Sequence, residues 1–319
     1  MRPSPRCGAR ARAMAPDLPS SVRVIVRGML NCNQVVLRSP GANLLVDTGY
    51  CTHGDRTLAL VRASLAGEPL ARLVNTHCHA DHMGGNAAIA RAYGCRITIP
   101  AGEAKHVYPW TPETGSAELF DHRAEPFRFD DTLAPGDGFH AGGFEWQVHA
   151  APGHDMEALM FFEPRNRLLV SGDALWQGGM GIVWPEPDAG AAIEASLETL
   201  ASIERLAPAV IIPGHGEPFL DAAGSLARVR SRLAAFAADP AKNARHVLKV
   251  LFAFALLERG TMPLAEVARY LARVPCYERL STQYLGLDLA GLAEWLLREL
   301  ERTGAVVLRE GTLQPTMAA

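Results

Sequence analysis

No run in this chain of 319 residues approaches the ~18 uninterrupted apolar positions that a membrane-spanning helix needs. The richest stretch, Val247 to Leu257, is too short and carries Lys249. An excess of one charge is lacking too. Lys and Arg number 31 against 34 Asp and Glu, a net −3, so no global field marks a nucleic-acid binder. Cysteine is sparse: Cys7, Cys32, Cys51, Cys78, Cys95 and Cys276 form no CxxC pair and no disulfide framework. A reducing compartment, the cytoplasm, is the simpler reading. The first fifteen residues hold Arg2, Arg6, Arg10 and Arg12 and no acid, but lack the apolar segment of a secretory signal. Residues 1–20 are therefore expected to be a disordered leader with no role in the chemistry. An organelle-targeting leader and a true start at Met14 are the alternatives.

What is present is a globular composition. Hydrophobic residues make up 48% and charged residues 20%, which excludes global disorder, and the length suits two domains or one large domain with an appendage. Short apolar runs separated by turns predict strands at Val22–Val26, Gln34–Leu37, Asn43–Val46, Arg72–Asn75 and Arg96–Ile99. Further strands are predicted at Phe144–Ala150, Leu159–Phe162, Arg167–Ser171 and Val210–Ile212. Helices are predicted at Asp55–Ala66, Asn86–Tyr93 and Ala191–Leu206, so the class is α/β with sheet layers covered by helices. Tyr108–Pro126 has no period and reads as a loop or insertion. After about Asp221 the pattern turns helical, with helices at Ser225–Ala238, Arg245–Leu257, Leu264–Val274 and Leu289–Arg302. A small hairpin around Glu310-Gly311 completes a region that looks winged-helix-like. The division expected is a catalytic domain over 21–222 and a C-terminal region over 223–319.

The chemistry lies at the end of the Arg72–Asn75 strand, in Thr76-His77-Cys78-His79-Ala80-Asp81-His82. On an extended segment His77 and His79, two apart, face the same side, while Cys78 points away and reads as a small buried residue. Asp81 and His82 follow as the chain turns and can serve a second metal beside the first. Gly84-Gly85 supplies the tight backbone of a turn. Three further candidates stand at strand ends: His154 after Pro152-Gly153, Asp173 after Ser171-Gly172, and His215 in Pro213-Gly214-His215-Gly216. Loops on a rigid sheet are a common place to hold such a site.

This HxHxDH pattern, followed in order by a His, an Asp and a His, resembles the metallo-β-lactamase-fold hydrolase superfamily over about Val22 to Pro218. The resemblance implies a four-layer αββα fold. It also implies that His77, His79 and His154 bind one metal, that Asp81, His82 and His215 bind a second, and that Asp173 bridges them. The implied cofactors are two zinc ions, and iron or manganese fit the same five imidazoles and two carboxylates. Such a pair lowers the pKa of water to ~7, so that a hydroxide can attack a carbonyl carbon while Asp81, the catalytic carboxylate, takes up a proton.

Departures narrow the branch. Asp173 occupies the bridging position, which argues against a true zinc β-lactamase. Only 42 positions separate Asp173 from His215, too few for the inserted domain of the RNA-processing endonucleases of this fold. His79 stands where flavo-diiron proteins place a glutamate. What remains resembles glyoxalase II, lactonases and related acyl hydrolases. The expected function is a binuclear zinc hydrolase of a small ester, thioester or lactone. The alternatives are a ribonuclease that uses its C-terminal region for RNA and an iron-dependent sulfur dioxygenase. Residues 240–319 hold ten Lys and Arg against eight Asp and Glu, with no dense basic stripe, so nucleic acid is not expected as a partner. A second copy of the chain is kept as a candidate partner, and a membrane is not expected.

Other residues carry two readings each. Asp47, in Val46-Asp47-Thr48-Gly49, is either a carboxylate behind the metal ligands or a turn former. Trp176 and Met180 are taken as substrate-binding residues, with core packing as the alternative, and Trp184 joins them as a cleft candidate. Tyr108 and Trp110 could act as a lid. Glu186-Pro187-Asp188 reads as a helix-start signal, and His53, His106, His122, His140, His149 and His246 as surface or core histidines.

Overall fold

A computed structural model describes residues 16–110, 121, 123–185 and 189–316. Most of the expected leader, most of the 108–126 segment, His122 and the Glu186–Asp188 signal lie outside them.

Two sheets form the frame. The first runs β1 (Val22–Ile25), β2 (Gln34–Leu37), β3 (Asn43–Val46), β4 (Leu70–Val74), β5 (Arg96–Pro100) and β6 (Asp131–Leu133), in that order. Its first two pairings are antiparallel and the rest parallel. The second sheet follows the order β11 (Val210–Pro213), β10 (Leu168–Gly172), β9 (Leu159–Glu163), β8 (Phe144–Ala150) and β7 (Gly138–Ala141), and only β10 with β11 is parallel.

Strands β2, β3, β9, β10 and β11 are buried on both faces, and the two-residue period divides each between two cores. Strand β8 buries only its inner face. Val35, Leu37, Leu44, Val46 and Val74 of the first sheet meet Trp146, Val148, Leu159, Phe161, Val170 and Ile212 of the second. The alternate residues Val36, Leu45 and Leu73 point outward to α1 (Gly54–Leu65) and α3 (Asn86–Tyr93). Met160, Phe162, Leu169 and Ile211 point outward to α5 (Ala189–Leu206) and α6 (Ala222–Ala238). Short helices α2 (Ala80–Met83) and α4 (Ala104–Val107) fill the loops. The layers are thus helix, sheet, sheet, helix.

The C-terminal residues form their own core. It contains α7 (Pro240–Arg259), β12 (Met262–Pro263), α8 (Val267–Arg273), α9 (Pro275–Leu280), α10 (Leu289–Arg302) and the hairpin β13 (Val306–Arg309) and β14 (Thr312–Pro315). The three strands pair in the order β12, β14, β13. On α10, Leu292, Leu296 and Leu300 recur every fourth residue and are buried, and Asp288 caps its start by accepting from the Gly291 N–H at 2.8 Å.

Several expectations need correction. Strands β6 and β7 lie outside the predicted set; each is a short outer strand of its sheet, with too few apolar positions to show a period. The helix expected at Leu264–Val274 divides into a 3-10 turn, Leu264–Glu266, and α8. α7 begins five residues before the expected start, at Pro240, because Asp239 caps it and accepts from the Lys242 N–H at 3.0 Å. α9 also opens on a proline, Pro275, directly after α8.

Trp146 is fully buried between the sheets, its ring beside Phe139 at 6.3 Å. Trp146→Ala should destabilise the fold by about 3–5 kcal/mol, read as a lowered midpoint in urea unfolding.

Candidate metal centre

β3 and β4 are parallel, as are β10 and β11, and β8 runs in the direction of β10, so their C-terminal ends gather at one end of the sandwich. Asp47 follows β3, residues 75–82 follow β4, His154 follows β8, Asp173 follows β10 and His215 follows β11. Hydrogen bonds between loops hold these ends together. Asn33 N–H donates to Gly214 O at 2.6 Å, its side chain donates to Pro213 O and Gly216 O, and Leu159 N–H donates to Thr76 O at 2.8 Å.

All seven expected ligand residues come together, in two adjoining groups. His77, His79 and His154 form one, and Asp81, His82, Asp173 and His215 the other, with ligand atoms within 4.8 Å inside each group. In the first, His79 Nδ1 lies 3.1 Å from His77 Nε2 and 2.9 Å from His154 Nε2. In the second, His215 Nε2 lies 3.2 Å from Asp81 Oδ2 and 3.5 Å from Asp173 Oδ1. Asp173 joins the groups, because Oδ1 faces His82 at 3.3 Å and Oδ2 faces His154 at 3.5 Å.

The outer nitrogens explain how the rings are aimed. His82 Nδ1 donates to Asp47 Oδ2 at 2.8 Å, and His154 Nδ1 donates to Ile182 O at 2.6 Å. Thr76 Oγ1 donates to Asp47 Oδ2 and is therefore free to accept from His77 Nδ1 at 3.1 Å. Each partner leaves the opposite nitrogen, Nε2, as a lone pair directed into the centre. His79 is reversed: its Nε2 faces Asp155 Oδ2 at 3.5 Å and Nδ1 points inward.

Burial would lower His82, but Cys32, Asp173, Asp47 and Asp81 around it outweigh burial and raise it well above the usual imidazole range. The other two rings of the HxHxDH run go the other way. Burial, then the neighbouring His82 and His79, hold His77 well below the usual imidazole range. Burial and His154 bring His79 down to about 4, so both rings are neutral near pH 7. Burial alone would raise Asp81 and Asp173, but the surrounding histidines outweigh it and hold both carboxyls well below the usual carboxylate range.

The donors fit a divalent metal pair. The Nε2 atoms of His82 and His215 are fully buried and make no hydrogen bond, although carboxylate oxygens stand within 3.8 Å of each. Buried ring nitrogens that converge on carboxylates without a hydrogen bond are costly unless a cation completes them. Cys32, Asp47 and His82 also lie within 4.8 Å of one another, but this is not a third site. Burial pushes the Cys32 thiol up to about 12, and Asp47 already accepts from Thr76 and His82.

The sequence pattern of the metallo-beta-lactamase superfamily matches residues 27–215, which include all of these ligands. The chain belongs to the metallo-beta-lactamase superfamily. Among curated relatives, the hydroxyacylglutathione hydrolase of Rhodospirillum rubrum is 31% identical over 158 residues, 48% of this chain and 54% of that protein. The hydroxyacylglutathione hydrolase of Chromohalobacter salexigens is 27% identical over 248 residues, 77% of this chain and 80% of that protein. The chain spans about half the length, or less, of the first relatives it matches. Among solved structures, a metallo-beta-lactamase family protein from Thermus thermophilus has a TM-score of 0.56 at 20% identity, covering 94% of this chain and all of that one. The B3 metallo-beta-lactamase BLEG-1 has a TM-score of 0.52 at 20% identity, covering 65% of this chain and 95% of that one. At such identities these structures speak for the superfamily fold alone.

Other expectations meet mixed outcomes. Asp47 has a left-handed backbone (φ 60°), which suits a turn, and it also stands behind the ligands, so both of its readings hold. Trp176 lies at the centre: its ring is 5.0 Å from that of His215, and its Nε1 donates to Asp173 Oδ1 at 3.2 Å. For Met180 the structure favours the core-packing alternative, because it is buried in the outer apolar layer with α5 and α6. Trp110 packs on Phe127 against the first sheet's outer core, while Tyr108 is exposed. Gly84 and Gly85 have ordinary negative φ values; they are needed because a Cβ would come within 2.6 Å of Cys51 N and 2.7 Å of Thr48 O respectively. Trp184 joins the C-terminal core.

Sequence reasoning missed Asp155 and Glu103. Asp155 stands behind His79, and Glu103 bonds Asp155 from the turn after β5. The neighbour of His154 was a visible hint; Glu103 was not, because only folding brings its turn to the other sheet. Phe254 and Leu257 of α7 also reach the site, Phe254 beside His215 at 6.2 Å and Leu257 against Tyr50 and Ala80.

Removing these supporting carboxyls has measurable consequences. Asp47→Ala removes the acceptor of His82 and Thr76, and should weaken metal affinity about 10–100-fold in chelator competition. Glu103 is held protonated, its pKa pushed up to about 9 by burial and by Asp155. A folded pKa above the unfolded value gives stability that is complete in acid and lost as pH rises toward the folded pKa. Glu103→Gln should therefore match the parent below about pH 4.5, then gain on it by up to about 1.4 kcal/mol per pH unit toward pH 9 in denaturant unfolding.

Proposed function

We propose that the protein is a zinc-dependent hydrolase with a two-metal centre, acting on the carbonyl of a small ester, thioester or lactone. The observation that carries the reading is Asp173, whose two carboxylate oxygens face the two groups of histidines. His77, His79 and His154 would hold one ion, Asp81, His82 and His215 the other, and Asp173 both. Five imidazoles and two carboxylates without a thiolate suit zinc, with iron and manganese as fits to the same donors. When bound, such a pair supplies a hydroxide near neutral pH and polarises a carbonyl.

The chain's own residues do the rest. Asp81 is the catalytic carboxylate, placed to hold a proton beside the reacting atoms. His79 is the most open of these side chains, 26% exposed, whereas His82 and His215 are sealed, so substrate arrives from the His79 side. Trp176 walls the centre beside His215 and fixes Asp173 by its Nε1 hydrogen bond. The relatives' name, hydroxyacylglutathione hydrolase, describes a thioester cleavage and supports an acyl substrate. No residue of this chain is assigned to glutathione.

We read residues 223–319 as a winged-helix-like region appended to a catalytic domain over 21–222. Helix α7, strand β12, helices α8 to α10 and the β13–β14 hairpin follow the order of that motif. Its role here is to wall the cleft through Phe254 and Leu257 rather than to bind RNA. The exposed residues of α10, which include Glu294, Arg298, Glu301 and Arg302, alternate in sign and offer no continuous positive face. A small molecule is accordingly the expected partner, and light scattering would settle whether a second copy of the chain is another.

The test is proton release by the zinc-loaded protein against thioesters, lactones and simple esters. One class should turn over, and Asp81→Ala, with its fold verified by circular dichroism, should lose about 100-fold or more. Undiminished turnover in Asp81→Ala would sink the assignment.

A further inference from the structure

Helices α6, α7 and α10 meet around a cavity of about 470 Å³ that the metal centre does not use. From α7, Lys242, Arg245, His246 and Lys249 line it, a spacing of three, four and seven that places all of them on one face of a helix. Arg232 of α6 faces the same cavity and adds to this stripe. Phe236 of α6 and Trp295 of α10 supply apolar walls, with the His246 ring tilted over Phe236 at 5.3 Å.

The charges here are not balanced. Arg245 is paired with Asp239 at 3.0 Å, and Lys249 with Glu299 at 3.5 Å, an acid that also holds Arg302. Among the described residues Arg232 and Lys242 have no carboxylate partner; Arg232 donates only to Gly178 O at 3.1 Å. Burial first, then Arg232 and Lys249, depress His246 to about 4. Folding has gathered like charges at the mouth of a concave site with aromatic sides. A ligand that brings anionic oxygens and a flat ring would relieve the first and cover the second. The volume lies within the range of small-molecule sites, ~300–1,000 Å³.

We propose that this cavity binds a small phosphate-bearing aromatic molecule of the chemical class of a nucleoside diphosphate. Arg232 and Lys242 take the phosphates, and the ring lies against Trp295. The inference does not rest on the hydrolase reading. The two sites are neighbours through one loop: Arg232 holds Gly178 O, Asn243 Nδ2 holds Val183 O at 3.0 Å, and Ile182 O holds the His154 ring.

The experiment is calorimetric titration of the metal-loaded protein with ADP, adenosine and inorganic phosphate. ADP should bind more tightly than either fragment. Arg232→Gln and Lys242→Gln, tested singly, should each weaken it tenfold or more, and Trp295→Leu should bring it close to inorganic phosphate. Because diphosphates also chelate metals, Asp173→Asn is the control and should bind ADP as the parent does. In NMR, the His246 ring should titrate at higher pH when ADP is bound. The proposal is overturned if ADP does not bind at millimolar concentration, if phosphate alone binds as well, or if Asp173→Asn abolishes binding while Arg232→Gln and Lys242→Gln do not.

Discussion

The site depends first on the apolar layer between the two sheets. Val35, Leu44, Val46 and Val74 on one side meet Trp146, Phe161, Val170 and Ile212 on the other, and that contact sets how the sheets stack. Stacked so, the C-terminal ends of β3, β4, β8, β10 and β11 open at the same end of the sandwich. No ligand residue belongs to the layer, yet each stands a few residues beyond a strand that does. Burial of this kind is strong but has no direction. Direction comes from hydrogen bonds at the rim, where Asn33 ties the His215 loop to the first sheet and Leu159 ties the Thr76 segment to the second.

The second requirement is aim. A histidine presents a lone pair to a metal only when its other nitrogen is held as a donor. Asp47, Thr76 and the carbonyl of Ile182 do this for His82, His77 and His154, and Asp155 stands behind His79. One buried carboxylate, Asp47, thus serves two rings, one directly and one through a hydroxyl. Ile182 belongs to the loop that also carries Gly178 and Val183, so the same stretch supports a ligand and fastens the C-terminal helices.

The C-terminal region touches the candidate site. Helix α7 turns Phe254 and Leu257 to the metal end and, two to three turns earlier, a basic stripe to α6 and α10. One helix therefore borders both the candidate metal centre and a positive cavity, because the two sets of residues stand at different points along its length.

Much was legible from the sequence alone. HxHxDH is dense enough in rare residue types to announce a metal site, and turn residues after strands marked where His154, Asp173 and His215 stand. The alternating apolar strands and the four-layer class followed from periodicity and resemblance. Local rules failed where the pattern was short or depended on a partner: the outer strands β6 and β7, the early start of α7, and Met180, whose spacing from Asp173 could not tell wall from core. Only the tertiary structure decided that Asp173 faces both histidine groups, that Glu103 comes to Asp155 from the other sheet, and that Arg232 joins a stripe on α7. The reason is physical: spacing along the chain fixes which residues share a face or a turn, while contacts between distant segments depend on how whole sheets and helices stack.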